Sequence, residues 1–368
     1  MAKYIYEYRN WTDFSWQDKA ISDIFGEVRF MQGKLIGQMN TLGFNAKEEA
    51  KLTALTLDVV KSSEIEGELL NYDQVRSSIA RRLGINTGGL ISSSRHIEGI
   101  VEMMLDATQR NSSPITEKRL FGWHAALFPT GYSGPYLIEV GRYRTGEMQI
   151  VSGAMGKEKV HYEAVKSKFV KTEMDKFLDW FNNEYRLDPV LKAAIAHFWF
   201  IIIHPFDDGN GRIGRAISDM LLAYAEGSGE RFYSMSSQIL AERKCYYEVL
   251  QKVQHSVSDI TEWIDWFLHC LKNAIQATEK TTQKILLKAE FWKLYEHTSI
   301  NERQRLMLNK LFDDFEGKLQ TSKWAKIVKT STDTALRDIK DLVEKGILKQ
   351  TDEGGRNANY ELVEFKLG

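Results

Sequence analysis

Residues 188–203 constrain the fold of this chain more than any other stretch. They open with Asp188-Pro189, a helix-start pair, and continue AAIAHFWFIII, apolar on every face of a helix. A helix without a polar face has to be surrounded by protein, and the run is shorter than the ~18 apolar residues a bilayer-spanning helix needs. The chain is therefore predicted to fold around one buried central helix. His204 and Pro205 end it, because proline disfavours helical backbone in the residue before it. His204 is thereby placed on a fixed backbone at the rim of the core.

The next residues give that rim a chemistry. In HPFDDGNGRIGR, which runs from His204 to Arg215, Gly209 and Gly211 flank Asn210, so the backbone can approach a ligand closely and turn its amides into one concave anion site. A second helix is predicted from Arg212, and a phosphate at its N-terminus gains from unpaired amides and the helix dipole. Arg212 and Arg215 are three apart, hence on one face of its first turn, where both can reach a polyphosphate. Asp208 is a hard oxygen ligand suited to magnesium carried in with the phosphates. His204 alone ionises near neutrality, which suits a base for a hydroxyl attacking phosphorus. Singly, a histidine at a helix end or an Asp-Gly-Asn-Gly turn is ordinary structure. In this order they describe a nucleotide site.

The same residues match the signature of the Fic domain, HPFx(D/E)GN(G/K)RxxR, at every specified position. The resemblance implies a mainly α protein, a Fic helical core with a short β-hairpin flap. It also implies an enzyme that transfers AMP from ATP to a Ser, Thr or Tyr hydroxyl of target proteins, and of itself. In that pattern His204 deprotonates the hydroxyl and Asp208 holds Mg2+ between the α- and β-phosphates. Asn210 and the amides of Gly209 and Gly211 stabilise the transferring phosphate, Arg212 and Arg215 orient the β- and γ-phosphates, and Phe206 anchors the loop. Asp207 completes the nucleotide-binding loop.

Three further stretches resemble the same family. Ser62 to Gly67 fits (S/T)xxxE(G/N), the inhibitory helix, here at about 48–67; Glu66 would pair with Arg215 in place of the γ-phosphate. Met148, Gln149, Ile150, Val151 and Ser152 lie where the target-binding flap is expected, as the edge of a hairpin to which an extended target segment can add. Tyr246 and Tyr247 fall in a segment like YYxxL, whose tyrosines lie near the nucleoside, although tyrosines on an amphipathic helix also serve as packing residues. Cys245 beside them reads as a small core residue, since no activating base is evident.

A chain of 368 residues with 43% hydrophobic residues and 5 prolines predicts two or three well-filled domains. The expected division is a helical region over 1–115, a catalytic core over 116–280 and a third domain over 281–368. A net charge of −1 gives no electrostatic reason for nucleic-acid or membrane attachment. Two cysteines, and neither a signal peptide nor a transmembrane run, suit a cytoplasmic protein. At the C-terminal end, helices are predicted over 302–315, 321–329 and 332–345, with strands at 347–350 and 360–363, a pattern resembling a winged helix-turn-helix. Acidic and basic residues alternate on its third helix, so its partner stays open between DNA and protein. A homodimer is admitted. Two alternatives to a plain transferase stand beside it: an enzyme that also removes AMP with the help of Glu66, and a DNA-binding regulator whose core only senses nucleotide.

Overall fold

The structure, a computed structural model, describes residues 4–40, 44–85, 90–152, 159–227, 229–312, 315, 317–351 and 358–364. It divides into two compact units, Met1–Glu279 and Lys280–Gly368. The N-terminal helices, expected as a region of their own, belong to the same unit as the core.

That unit begins with a short 3-10 turn (Ile5–Glu7) followed by α1 (Asp18–Asn40), α2 (Phe44–Ile65), α3 (Tyr72–Leu83), α4 (Arg95–Gln109) and α5 (Glu117–Leu127). Two antiparallel hairpins come next: β1 (Tyr132–Ser133) with β2 (Tyr136–Leu137), and β3 (Gln149–Ser152) with β4 (Lys159–Glu163). Then follow α6 (Ser167–Asn183), α7 (Pro189–Ile203), α8 (Asn210–Ala225), α9 (Met235–Ala241), α10 (Arg243–Val253) and α11 (Thr261–Leu294), within whose length the two units divide. The mainly helical expectation holds. The β1–β2 hairpin was not foreseen; its signal is Gly134-Pro135 between Tyr-Ser and Tyr-Leu, a two-residue turn with glycine first.

The apolar run forms α7 as its composition requires. Asp188 caps it by accepting the Val190 amide at 2.8 Å, Pro189 fills its first turn, and Phe198, Phe200, Ile202 and Ile203 are buried to within about 1%. Packing of α7 against α8 sets His204 beside the N-terminus of α8. α2 follows the same logic with one wet face: Leu52, Leu55, Val59 and Ile65 are fully buried, each contributing about 1.5–3 kcal/mol. It stops in a Schellman turn, the Glu68 amide bonding Ser63 O and the Gly67 amide bonding Glu64 O, both at 3.0 Å, with Gly67 at φ 85°. Glu66 and Glu68 therefore leave the helix end in a fixed direction.

The second unit contains α12 (Glu302–Phe312), α13 (Thr321–Ile327), α14 (Thr332–Glu344), β5 (Leu348–Gln350) and β6 (Tyr360–Leu362). β5 and β6 pair antiparallel, and Leu319 bridges to Tyr360. Trp324, Met307, Leu308, Ile339 and Leu342 form its own core. α13, α14, β5 and β6 are each shorter than their sequence pattern by one or two residues, as frayed ends produce, and residues 313–314 of the expected 302–315 helix lie outside the described residues. Residues 352–357, the middle of the expected wing, lie outside the described residues, as do 153–158 between β3 and β4.

Candidate active site

His204 adopts the left-handed conformation, φ 52° and ψ 61°, rather than the extended one its proline neighbour favours. Four interactions hold it there. Its amide bonds Phe200 O at 3.0 Å, and its carbonyl accepts Arg144 Nε at 2.7 Å. The Arg144 amide bonds Pro205 O at 2.9 Å. Buried Arg144 thus places a cation on the carbonyl end of α7, where the helix dipole favours one. Finally, His204 Nδ1 lies 3.2 Å from Ile201 O. A carbonyl only accepts, so Nδ1 carries the proton and Nε2 keeps its lone pair. Burial, with Arg144's charge, pushes the imidazole down to about 4. At neutral pH the ring is an unprotonated base.

The loop after it is clipped from within. Phe206 is fully buried, and Asn210, 2% exposed, spends its amide on Phe206: Oδ1 accepts Phe206 N at 2.9 Å and Nδ2 donates to Phe206 O at 2.8 Å. Asn210 was expected to face the transferring phosphate. In this structure its side chain holds the loop, because a buried amide needs its donor and acceptor satisfied. Gly209, at φ 80°, turns the chain into α8 against Phe128, whose ring would stand 2.9 Å from an added β-carbon. The two aspartates differ. Asp207 accepts the Glu139 amide at 2.9 Å and so carries structure, while Asp208 accepts the Gly209 amide at 2.5 Å and the Ser133 hydroxyl on the unforeseen hairpin.

Both motif arginines are taken by carboxylates from the end of α2. Arg215, 1% exposed, bonds Glu66 Oε1 at 2.7 Å, Ser62 Oγ at 2.9 Å and Ser62 O at 2.8 Å. Glu66 reaches it across Gly211, where a β-carbon would stand 2.1 Å from Glu66 Oε1. Arg212 bonds Glu68 Oε2 at 2.9 Å, and the other Glu68 oxygen meets His96 Nε2. His96 first, and Arg212 after it, hold the Glu68 carboxyl below the usual carboxylate range. Sequence reading gave Glu68 and His96 no role, since nothing local marks a pairing made across 144 positions.

The expected flap residues Gln149, Ile150, Val151 and Ser152 form β3, with Met148 O accepting the Ala164 amide at 2.9 Å just before it. The two tyrosines part. Tyr246 is 2% exposed and its hydroxyl lies 3.0 Å from His197 Nε2, whereas Tyr247 is half-open to solvent. His197 Nδ1 meets Ser218 Oγ at 2.8 Å, and burial with Arg215's charge pushes this imidazole down to about 3. Tyr246 is therefore a packing residue under the arginine, and Tyr247 alone presents a face to the site's rim. Cys245, read as a core residue, is exposed, because it occupies the outer side of α10. Among the described residues no group of three or more His, Cys, Asp or Glu could hold a metal by itself.

Comparison with known proteins agrees with this geometry. Residues 114–222 match the Fic/DOC family, and residues 4–85 match a domain of unknown function, DUF4172. The chain is 31% identical over 188 residues to "Protein adenylyltransferase Fic" of Drosophila willistoni, covering 49% of this chain and 34% of that protein. It is 25% identical over 224 residues to the protein of the same name from Nematostella vectensis, covering 60% and 47%. The chain thus spans about a third to a half of the length of these relatives. A solved Fic family protein from Desulfovibrio desulfuricans shares the fold with a TM-score of 0.55 at 20% identity, covering 95% of this chain and 97% of its own. A Fic domain containing signaling protein from Bacteroides thetaiotaomicron does so at 0.52 and 20%, covering 70% and 97%. His204, the loop after it and both arginines all lie inside the segment that matches the Fic/DOC family.

Proposed function

We propose that this protein transfers AMP from ATP to a side-chain hydroxyl of target proteins and of itself, and that its own α2 restrains it. The single observation that carries the chemistry is the 3.2 Å approach of His204 Nδ1 to Ile201 O, from which the Nδ1–H tautomer follows. With Nδ1–H spent on Ile201, Nε2 is free to take the proton of a hydroxyl whose oxygen attacks the α-phosphorus. The new bond is P–O to the acceptor, the bond to the β-phosphate breaks, and pyrophosphate leaves. Arg212 and Arg215 are the cations that would hold the leaving phosphates. Gln149–Ser152 offers the edge on which an extended target segment adds as a strand.

Asp208 fits magnesium that arrives with nucleotide. Among the described residues no group of three or more His, Cys, Asp or Glu closes a shell around it, the usual arrangement when phosphate oxygens and waters supply the rest. When bound, the ion neutralises charge on the leaving phosphates. Glu66 and Glu68 supply the restraint: both arginines must give up a carboxylate before they can receive phosphate.

The second unit reads as a winged helix. Its α14 exposes Asp333 and Glu344 beside Arg337 and Lys340, a mixed face that suits a protein partner better than a phosphate backbone. No helix among the described residues is long and apolar enough to cross a membrane, and a cytoplasmic setting accords with the two free cysteines. The test of the central reading is incubation with ATP labelled at the α-phosphate. Covalent label on protein, lost with γ-label in its place, supports AMP transfer; nucleotide binding without covalent label would make the domain a sensor.

A further inference from the structure

His124, on α5, is fully buried at the back of the site, and every face of its ring is used. Its plane stacks on Phe206 with centroids 4.3 Å apart and 10° between planes. Nδ1 accepts the Gly141 amide at 3.1 Å, which fixes the tautomer. Nε2 then carries the proton and donates it to Asp208 O at 3.2 Å. One neutral imidazole therefore links the main chain of the loop bearing Asp208 to Gly141. The segment from Gly141 to Arg144 forms the root of the β3–β4 hairpin, and Arg144 bonds His204 O and Pro205 O.

We infer that His124 is a positioning residue that fixes the Asp208 loop and the root of the acceptor-binding hairpin in register with each other. The inference rests on the AMP-transfer reading of the site. Asp208 and β3 serve different partners, phosphate-borne metal and acceptor segment, and transfer needs both aligned on His204. The ring supplies a donor to one and an acceptor to the other over a single rigid plane. An apolar ring in its place preserves the stack on Phe206 but leaves two polar main-chain groups unpaired.

The two links can be cut separately. An asparagine amide reaches the position of Nδ1 and can still accept from Gly141; a glutamine amide reaches that of Nε2 and can still donate to Asp208. Full-length protein carrying Glu66→Gly, alone and with His124→Asn, His124→Gln or His124→Phe, is loaded with ATP and Mn2+. Metal affinity is read by electron paramagnetic resonance, hairpin opening by amide hydrogen exchange over residues 139–149, and folding by thermal melting. His124→Asn is expected to weaken Mn2+ retention about tenfold, the scale of a lost outer-shell contact, with hairpin exchange unchanged. His124→Gln is expected to speed hairpin exchange with metal affinity kept, and His124→Phe to show both defects. Uniform loss of both readouts together with melting temperature in all three, or no change in any, would overturn the inference and leave His124 a packing residue. Failure of the Glu66→Gly parent to bind Mn2+ and ATP would instead overturn the reading of the site itself.

Discussion

His204 sits at a backbone conformation that costs a non-glycine residue roughly 1–2 kcal/mol, and the protein surrounds it with Arg144 and Ile201 to keep it there. The result is an imidazole aimed by its backbone and held neutral by burial. His204→Ala is expected to lower transfer about 10²–10⁴-fold while nucleotide binding survives; retention of half the wild-type rate in a label-transfer assay would rule it out as the base. Burial disfavours the charged imidazole, so protonation needs more acid than a free histidine does. The acid limb of kcat/KM, which reports the free enzyme, is accordingly expected near pH 4. A limb at the ordinary histidine position would contradict that environment. The paired aspartates make a second residue-scale test. Asp208→Ala should stay poorly active at every magnesium concentration, whereas Asp207→Ala should keep the normal magnesium response and lose about 1–3 kcal/mol of stability, because it orphans the Glu139 amide. Magnesium titrations that give equal defects would merge the two roles.

At the scale of elements, α2 is pinned in its middle and active at its end. Asp58, fully buried, accepts from Ser234 Oγ at 2.7 Å and the Ser236 amide at 3.1 Å, and faces Arg231, which pairs in turn with Asp219 of α8. Breaking a buried pair typically costs about 3–5 kcal/mol, so α2 does not lift away as a whole. Relief of the restraint belongs to the Schellman turn and the two carboxylates beyond it. Glu68→Gln should therefore tighten ATP binding modestly, about 2–5-fold, the worth of a partly exposed pair at ~0.5–1 kcal/mol, measured by titration calorimetry. Unchanged affinity would mean that Glu68 merely solvates Arg212. This turn also marks where sequence reading stops. Gly67 is legible because an αL cap needs glycine, and α7 is legible because nothing but burial accommodates an all-apolar helix. Glu68, Ser133 and His124 were illegible: each acquires its meaning from a partner brought close only by the fold, Arg212, Asp208 and Gly141. Asn210 shows a further role the motif alone did not reveal, a polar residue whose side-chain amide bonds the loop's own backbone.

For the molecule as a whole, the proposed chemistry lies in the motif and its proposed control in the arrangement of helices. The N-terminal helices, to which the restraint is assigned, sit in the same compact unit as His204, and in that unit both arginines pair with carboxylates of the same chain. The second unit has a core of its own. The central claim is that Glu66 stands where a γ-phosphate should, and one double-mutant cycle tests it most directly. Incorporation of α-labelled AMP is measured for wild type, Glu66→Gly, Arg215→Ala and the double variant. Removal of the carboxylate should raise incorporation by more than about tenfold, equivalent to ~1.4 kcal/mol. That gain should vanish when Arg215 is also replaced, since both residues act through one contact. Incorporation by Glu66→Gly at the wild-type level would contradict the account and reduce the end of α2 to an ordinary helix terminus.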